Sequence, residues 1–228
     1  MATGLHIEQR SQSHFGLWLG ILLVVIFVGA CGWYGYRYYT TGQQPPVPVA
    51  LAKANPEVDE TDVTTQQVDS YQVAPNQPRY ITIPSLGVDK ARVRSVGVKP
   101  NGELGTPQSI YDAGWYTKSA TPGSGSSALL IDGHNGGPTK DGIFKKLSDM
   151  KEGDQITIER GDGQKFTYEV KENKTITLDD LNAGGMKRMS ESVSDTSEGL
   201  NIISCTGNWI PAQQTYDKRS TIRAVAVE

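Results

Sequence analysis

Two residues far apart in the chain have side chains that could together carry out acyl transfer. Cys205 ends the run "NIISC" and precedes the polar run "TGN", whereas His134 ends the run "ALLIDGH" and precedes a glycine-rich stretch. A cysteine attacks a carbonyl carbon as its thiolate, and a histidine is the usual carrier of the proton. Both stand where a predicted strand gives way to a loop, a common position for functional residues. Taken alone, such a cysteine is more often a buried hydrophobe, and such a histidine an ordinary loop residue.

A third candidate is Arg219, which directly precedes the last apolar run, "STIRAVAVE". A guanidinium aimed into a cleft can bind the negative oxygen that forms when a thiolate attacks a carbonyl. Arg223 alternates onto the same face of that strand and is a geometric competitor. Asp132 shares a face with His134 and could orient its imidazole, although a solvated carboxylate beside a lysine is the more common situation.

These residues must be positioned by a β domain that begins near Arg79. The runs "RYITIPSLGV", "ARVRSVGV", "DQITIER" and "QKFTYEVKENKTIT" alternate between apolar and polar residues, and "ALLI" is a short apolar run. Such runs, separated by glycine- and proline-rich turns, predict strands of a barrel or sandwich. Short helices are expected at "DGIFKKLSDM" and near "LDDLNAGGMKRM".

An apolar segment precedes this domain. Residues 15–36 carry no charge, and 22 helical positions span roughly 33 Å, enough to cross a bilayer. Aromatic residues crowd the end of the segment, as at a membrane interface. We therefore expect a transmembrane helix over 15–36. Arg10 and Arg37 flank it almost symmetrically, so the charge rule barely orients it; we take 1–14 as a cytoplasmic segment and the catalytic domain as lying outside the cell. A cleaved signal peptide, or lipidation at Cys31, is the alternative.

Residues 37–78 have the composition of a disordered tether. The stretch 40–78 has six prolines, many polar residues and one aromatic residue, Tyr71. Such a stretch buries too little apolar surface to offset the entropy cost of ordering. The domain boundaries expected from the sequence are therefore 1–14, 15–36, 37–78 and 79–228.

The composition argues against several other functions. The net charge is −3 and the chain has no basic run, so nucleic-acid binding has little support. Two cysteines and three histidines are too few for most structural zinc sites, and we expect neither a metal nor a cofactor. A disulfide between Cys31 and Cys205 would join an apolar helix to a soluble domain and is not expected.

In their order and spacing, five blocks of residues 79–228 resemble the sortase family of bacterial cysteine transpeptidases. "RYITIPSLGVDKARVRSVGV" resembles the opening strands, and the run ending in "LLIDGH" resembles the stretch before the family's Gly-His pair. "GIFKKLSDMKEGDQITI", "NIISCTG" and "YDKRSTIRAVA" are similar to the three more specific motifs. Asn201, Ile202 and Ser204 depart from the family's usual Thr, Leu and Thr. The resemblance implies that the first and third of these positions shape the substrate groove and bear on the preferred sorting motif.

The resemblance implies an all-β fold, a closed sortase-type barrel of about eight strands with short helices. It implies that Cys205 is the nucleophile, His134 the general acid and base, and Arg219 the residue that stabilises the oxyanion. The enzyme would cleave an LPXTG-like motif of a surface protein at Thr-Gly and transfer the Thr to a peptidoglycan-precursor or pilin amine. Expected substrate contacts come from residues around the nucleophile: Asn201, Ile203, Ser204, Thr206 and Trp209.

Two finer expectations concern the subclass and the long loop. The absence of a further apolar span and of an obvious inhibitory lid favours the class D, E or F group that anchors single proteins. Residues 171–199 are expected to form a specificity loop. Its acidic residues, Asp179, Asp180, Glu191 and Glu198, have no known calcium-loop spacing, so a solvated acidic loop is favoured over a calcium site.

Three other functions are weighed against this one. An L,D-transpeptidase also uses Cys and His, but that family has an S-x-G-C-x-R motif, which the run "IISCTGN" lacks. A papain-like protease would place Cys before His in sequence, and here the order is reversed. A membrane-tethered β adhesin or pilus-accessory module with a buried cysteine predicts that Cys205 resists thiol reagents.

Overall fold

The computed structural model describes residues 14–46, 57–125 and 127–227, so most of the predicted cytoplasmic segment lies outside the described residues. Helix α1 spans Phe15–Thr41, five residues beyond the predicted end, and none of its residues is buried. Gly42 ends it with a left-handed φ of 69°. The helix has a mean hydropathy of 2.5 over its most apolar 18 residues. By length and composition it can therefore cross a membrane.

Eight strands form a closed barrel, which confirms the predicted fold class. The strand order is β1-β2-β3-β4-β7-β8-β6-β5, with β2 parallel to β3 and β4 parallel to β7. The strands are β1 Pro78–Ile83, β2 Val88–Val96, β3 Ala113–Tyr116, β4 Ala128–Gly133, β5 Gln155–Arg160, β6 Lys165–Thr177, β7 Gly199–Ile210 and β8 Thr215–Val227.

The sequence patterns located these strands except β3, whose four residues are too few to show alternation. The expected short helices are present as single turns. One is a 3₁₀ turn over Leu147–Asp149. In the loop from β6 to β7, α3 (Leu178–Asp180), a π-type turn (Leu181–Gly185) and α4 (Met186–Met189) follow one another. The predicted specificity loop is therefore shorter than 171–199, because residues 171–177 belong to β6.

Alternation along the strands divides the domain into an interior and one covered outer face. The interior is filled by fully buried apolar side chains such as Tyr168, Leu129 and Ile131. On the outer face of β4 and β7, Leu130 and Ile203 pack under a smaller cluster that includes Leu181 and Met189 of the β6–β7 loop. The β6–β7 loop therefore covers this part of the outer face, and the strip of the face beside the loop, which leads to the ends of β4 and β7, is called the groove below.

The segment before the barrel differs from the predicted tether. Residues 65–69 form helix α2 (Thr65–Asp69), which begins with a capping box between Thr64 and Gln67. The Tyr71 hydroxyl donates a hydrogen bond to the Val93 carbonyl over 2.6 Å. Residues 57–77 lie against the barrel through polar side-chain contacts of this kind, which a rule based on apolar content does not detect.

Candidate active site

Neighbouring strands bring the three predicted catalytic residues to one end of the outer face. Cys205 on β7 is the direct register partner of Arg219 on β8. The last register pair of β4 and β7 is Gly133 with Ser204. His134 is the first residue after β4 and Cys205 is the next residue along β7, so both lie at the same end of two neighbouring strands. The structure thus gathers a thiol, an imidazole and a guanidinium from residues up to 85 positions apart.

The Cys205 thiol is half-buried and free. Burial raises the pKa of Cys205, the positive charge of Arg219 lowers it and the carboxyl of Asp132 raises it again. Because the first effect is the largest, the thiol is mainly protonated at neutral pH. A base must therefore remove its proton before the sulfur can attack.

Arg219 is held at the end of the β7–β8 hairpin. Its Nη1 donates hydrogen bonds to the carbonyls of Tyr216 and Lys218, both over 2.8 Å. Its Nη2 donates to Thr215 Oγ1 over 2.8 Å. Among bonds to described residues these use three of the five guanidinium N–H groups, which leaves Nε–H and one Nη2–H for an oxyanion.

His134 lies just beyond β4 in a half-buried position. Its Nε2 is 2.7 Å from the carbonyl oxygen of Pro107. A carbonyl only accepts, so Nε2 carries the proton and Nδ1 is the nitrogen that can act as a base in the neutral ring. Burial lowers the pKa of His134 and the Pro107 carbonyl raises it by a smaller amount. The imidazole is therefore mainly neutral at pH 7 and suited to accept a thiol proton.

Asp132 is buried on the groove face, and it acts electrostatically on Cys205. Burial raises the pKa of Asp132 to about 7, while a hydrogen bond with Thr106 lowers it. Its Oδ1 has no hydrogen-bond partner among the described residues. The prediction that Asp132 is a solvated edge carboxylate is therefore wrong. The reason is that the strand face around Asp132 is covered rather than open.

Tyr216 is a site residue that the sequence analysis missed. Burial raises the pKa of Tyr216, a negative charge on Cys205 raises it further, and a hydrogen bond with the side chain of Asn135 lowers it. The phenol therefore lies between the nucleophile and the residue after His134. The sequence could have indicated this residue, because Tyr216 is the second residue of β8 and lies three positions before Arg219.

Two residues expected to contact substrate instead hold the structure of the groove. Asn201 is fully buried and donates from Nδ2 to the carbonyls of Met189 and Glu191 over 2.8 and 2.9 Å. Ser204 is buried and its Oγ donates to the Gly133 carbonyl over 2.9 Å. Asn201 is thus turned to carbonyls of the β6–β7 loop and Ser204 to the last residue of β4, and a contact of either side chain with substrate stays a prediction.

The other three predicted contacts lie nearer the groove. Ile203 is 6% exposed beneath the β6–β7 loop and forms part of its floor. Thr206 is half-buried next to the nucleophile. Trp209 packs edge-on against Tyr216, with ring centroids 5.4 Å apart. Their role in substrate binding stays a prediction.

The expectation of a solvated acidic loop is wrong for Glu198. This residue is 5% exposed, and its carboxylate accepts hydrogen bonds from the amides of Gly123 and Gly125 over 3.0 and 2.9 Å. Tyr168 also donates its hydroxyl to it. The other three acids, Asp179, Asp180 and Glu191, are exposed as expected. Within the described ranges, no group of three or more acidic, His or Cys side chains could hold a metal ion.

Comparison with known proteins gives a family match. A family model described as a sortase domain matches residues 81–227. This range covers 147 of 228 residues, including all eight strands except the first three residues of β1. No curated protein matches the chain.

Solved structures with the same barrel include sortase A from Corynebacterium diphtheriae, with 19% identity, a TM-score of 0.50 and coverage of 90% of this chain and 83% of that chain. Sortase C from Streptococcus pneumoniae has 17% identity, a TM-score of 0.48 and coverage of 85% and 84%. A lid mutant of sortase C1 from Streptococcus agalactiae has 20% identity, a TM-score of 0.48 and coverage of 73% and 76%. At these identities the likeness concerns the fold alone, and the expected class D, E or F relationship stays a prediction.

Proposed function

This chain belongs to the sortase family, and we propose that it is a membrane-anchored enzyme that cleaves an LPXTG-like motif at Thr-Gly. Family membership makes it a cysteine transpeptidase. The proposal adds the motif, the acceptor and the residue roles: Cys205 as nucleophile, His134 as acid and base, and Arg219 as oxyanion donor. The pairing of Cys205 with Arg219 beside the end of β4 is the observation that carries it.

In the first half of the reaction, Cys205 gives its proton to Nδ1 of His134 and the sulfur attacks the Thr carbonyl carbon. The electron pair of the C=O bond moves to oxygen, where Arg219 and backbone N–H groups stabilise it, a contribution of about 3 kcal/mol per good donor. Collapse breaks the Thr–Gly bond. The Gly nitrogen takes the proton from His134, and a thioester remains on Cys205.

In the second half, an amine attacks the thioester carbon and passes a proton to His134. Collapse of this intermediate expels the Cys205 sulfur, which recovers a proton from the imidazole. A thiolate is a good leaving group, so the thioester reacts readily with an amine. The amine would belong to a peptidoglycan precursor or to a pilin. The donor would be a surface protein that carries a sorting signal.

The proposed membrane location is supported by α1 and by how its end meets the barrel. The Tyr39 carbonyl accepts a hydrogen bond from the Ala212 amide over 3.0 Å. At Gly42, a Cβ atom would lie 2.3 Å from the Trp209 carbonyl oxygen, so only glycine fits there without movement. If α1 spans the bilayer, the catalytic residues stand close to its outer surface, where tethering raises the local concentration of membrane-bound substrates.

The test uses the full chain in detergent with an LPXTG-containing peptide and a glycine-based amine. We expect the peptide to be cut between Thr and Gly and its N-terminal part to be joined to the amine. In the absence of amine, mass spectrometry should detect the acyl group on Cys205. The Cys205→Ala variant is the control. Cleavage at another bond, or a product formed equally by that variant, would reject the proposal.

A further inference from the structure

We propose that residues 59 and 60 form a strap that positions His134, with Glu60 as the positioning residue. The inference rests on the proposed role of His134. It concerns a segment that precedes the barrel in sequence and that lies outside the family match over 81–227.

One side of the strap holds the segment that carries the hydrogen-bond partner of His134. The Asp59 amide donates to the Gln108 carbonyl over 2.9 Å, and the Ile110 amide donates to the Asp59 carbonyl over 3.0 Å. These bonds pair Asp59 with Ser109 as a parallel bridge. The paired segment begins one residue after Pro107, whose carbonyl is bonded to the imidazole.

The other side of the strap holds the loop that follows His134. Oε1 of Glu60 accepts hydrogen bonds from the amides of Thr139 and Lys140 over 2.8 and 2.9 Å. Its Oε2 accepts from the Thr139 hydroxyl over 2.5 Å. These bonds lower the pKa of Glu60, so the carboxylate is ionised at neutral pH. The Glu60 carboxylate thus accepts three hydrogen bonds from one loop. Hydrogen bonds to an ionised acceptor are stronger than those between neutral groups.

The loop over residues 135–142 is in turn bonded to itself and to the backbone of His134. It folds back through a bond from the Gly142 amide to the Asn135 carbonyl over 2.9 Å, and the Phe144 amide donates to the His134 carbonyl over 3.0 Å. The Ile143 amide donates to the Ile110 carbonyl over 2.8 Å and joins the loop to the Pro107 segment. The strap therefore joins the Pro107 segment to the loop after His134. It positions the imidazole through these two segments and not by direct contact.

Gly137 is shaped to receive Glu60. A Cβ atom on Gly137 would lie 2.3 Å from Oε1 of Glu60. Gly137 does not have a left-handed φ, so alanine is acceptable to its backbone and would act only by displacing the carboxylate. Gly137→Ala is thus an independent means of releasing the strap. Asp62, which follows the strap, supplies the matched control: Asp62→Ala removes an exposed salt bridge to Lys140 and a hydrogen bond with the Tyr111 side chain but none of the contacts of the strap to backbone amides.

The experiment compares Glu60→Ala, Glu60→Gln, Gly137→Ala and Asp62→Ala in the full chain. We expect Glu60→Ala and Gly137→Ala each to lower kcat about 5- to 20-fold with little change in KM, and their double variant to be no worse than either one. Glu60→Gln, which keeps one acceptor oxygen, should recover part of the rate. Asp62→Ala should stay within twofold of the parent.

A second readout follows the imidazole directly by NMR titration of His134. Burial holds its pKa down, so release of the strap should raise that pKa toward the value of an exposed histidine. Amide exchange at residues 135–142 should also become faster. Unchanged titration and unchanged kcat in both Glu60→Ala and Gly137→Ala would overturn the proposal, as would equal effects from Asp62→Ala. Persistence of turnover in His134→Ala would instead reject the catalytic role, while leaving the titration and exchange results able to test the strap.

Discussion

Cys205 and Arg219 face each other directly across β7 and β8, whereas the second arginine of the same strand face, Arg223, is paired with Asn201. Arg223 is buried and donates from Nη2 to the carbonyls of Glu191 and Ser192 over 3.1 and 3.0 Å. The two arginines therefore have different tasks. Arg219 acts on the nucleophile, and Arg223 holds the β6–β7 loop over the groove.

We expect Arg219→Ala to lower kcat/KM by roughly 100- to 1000-fold, as loss of an oxyanion donor does, with a small change in stability. Arg223→Ala should cost about 1–3 kcal/mol of stability, because two loop carbonyls lose their donor. Its loss of activity should be smaller. Peptide cleavage and urea unfolding of both variants measure this difference, and the opposite ranking of activities would contradict the assignment.

The reactivity of Cys205 should depend on two neighbours of opposite charge. Arg219 lowers the pKa of Cys205 and Asp132 raises it. In a Cys31→Ala background, the rate of iodoacetamide labelling should rise with pH through the thiol pKa. Arg219→Ala should move this profile to higher pH, and Asp132→Asn should move it to lower pH. A sulfur that fails to react at any pH in the folded protein would support the non-catalytic β module instead.

His134→Ala should reduce turnover by roughly 100- to 10,000-fold while the barrel stays folded. The side chain is half-buried and makes one hydrogen bond, to Pro107, so its loss removes little packing. Circular dichroism and thermal unfolding report the fold, and amine-dependent product formation reports activity. A variant that loses its folded spectrum would contradict the expectation.

The raised pKa of Asp132 predicts that the free energy of unfolding depends on pH. Its pKa is about 7 in the folded protein, above that of an unfolded aspartate near 4. The folded state thus binds an extra proton between these values, and stability falls as pH rises from about 4 to about 7. Asp132→Asn should remove this fall and be more stable than the parent at pH 8, by up to about 4 kcal/mol, which corresponds to three pKa units.

Urea unfolding at pH 4.5 and pH 8 measures the effect. The two proteins should differ little at the lower pH, where the parent carboxyl is already protonated when folded. An equal slope of stability with pH in parent and variant would show that Asp132 is not the group responsible.

The common location of the three proposed catalytic residues was predictable because their types, order and flanking strands are local features of the chain. Alternation places Cys205 and Arg219 on strand faces, and family motifs name them. Glu198 was not predictable, because its partners Gly123 and Gly125 are about 75 residues away and nothing near Glu198 indicates burial. The burial of Asn201 was not predictable either, because its Nδ2 is bonded to carbonyls of the β6–β7 loop, whose position in space no sequence pattern indicates.

The strap was missed for a related reason. Glu60 sits in a proline-rich, polar segment that by composition should stay unpacked. Its stability comes from three hydrogen-bond donors supplied by Thr139 and Lys140, about 80 positions later. Hydrophobic periodicity carries no information on contacts of this kind. The short strand β3 escaped notice because four residues give too few repeats of the pattern.

The chain between α1 and the barrel meets the domain at two separate places. Gly42 lies against Trp209 on the β7–β8 hairpin, and Glu60 lies against the loop after His134. The first contact, together with the bond from the Ala212 amide to the Tyr39 carbonyl, keeps the end of α1 beside the hairpin that carries Arg219. Substitutions at the end of α1 can therefore alter the surroundings of Arg219 without touching the barrel itself.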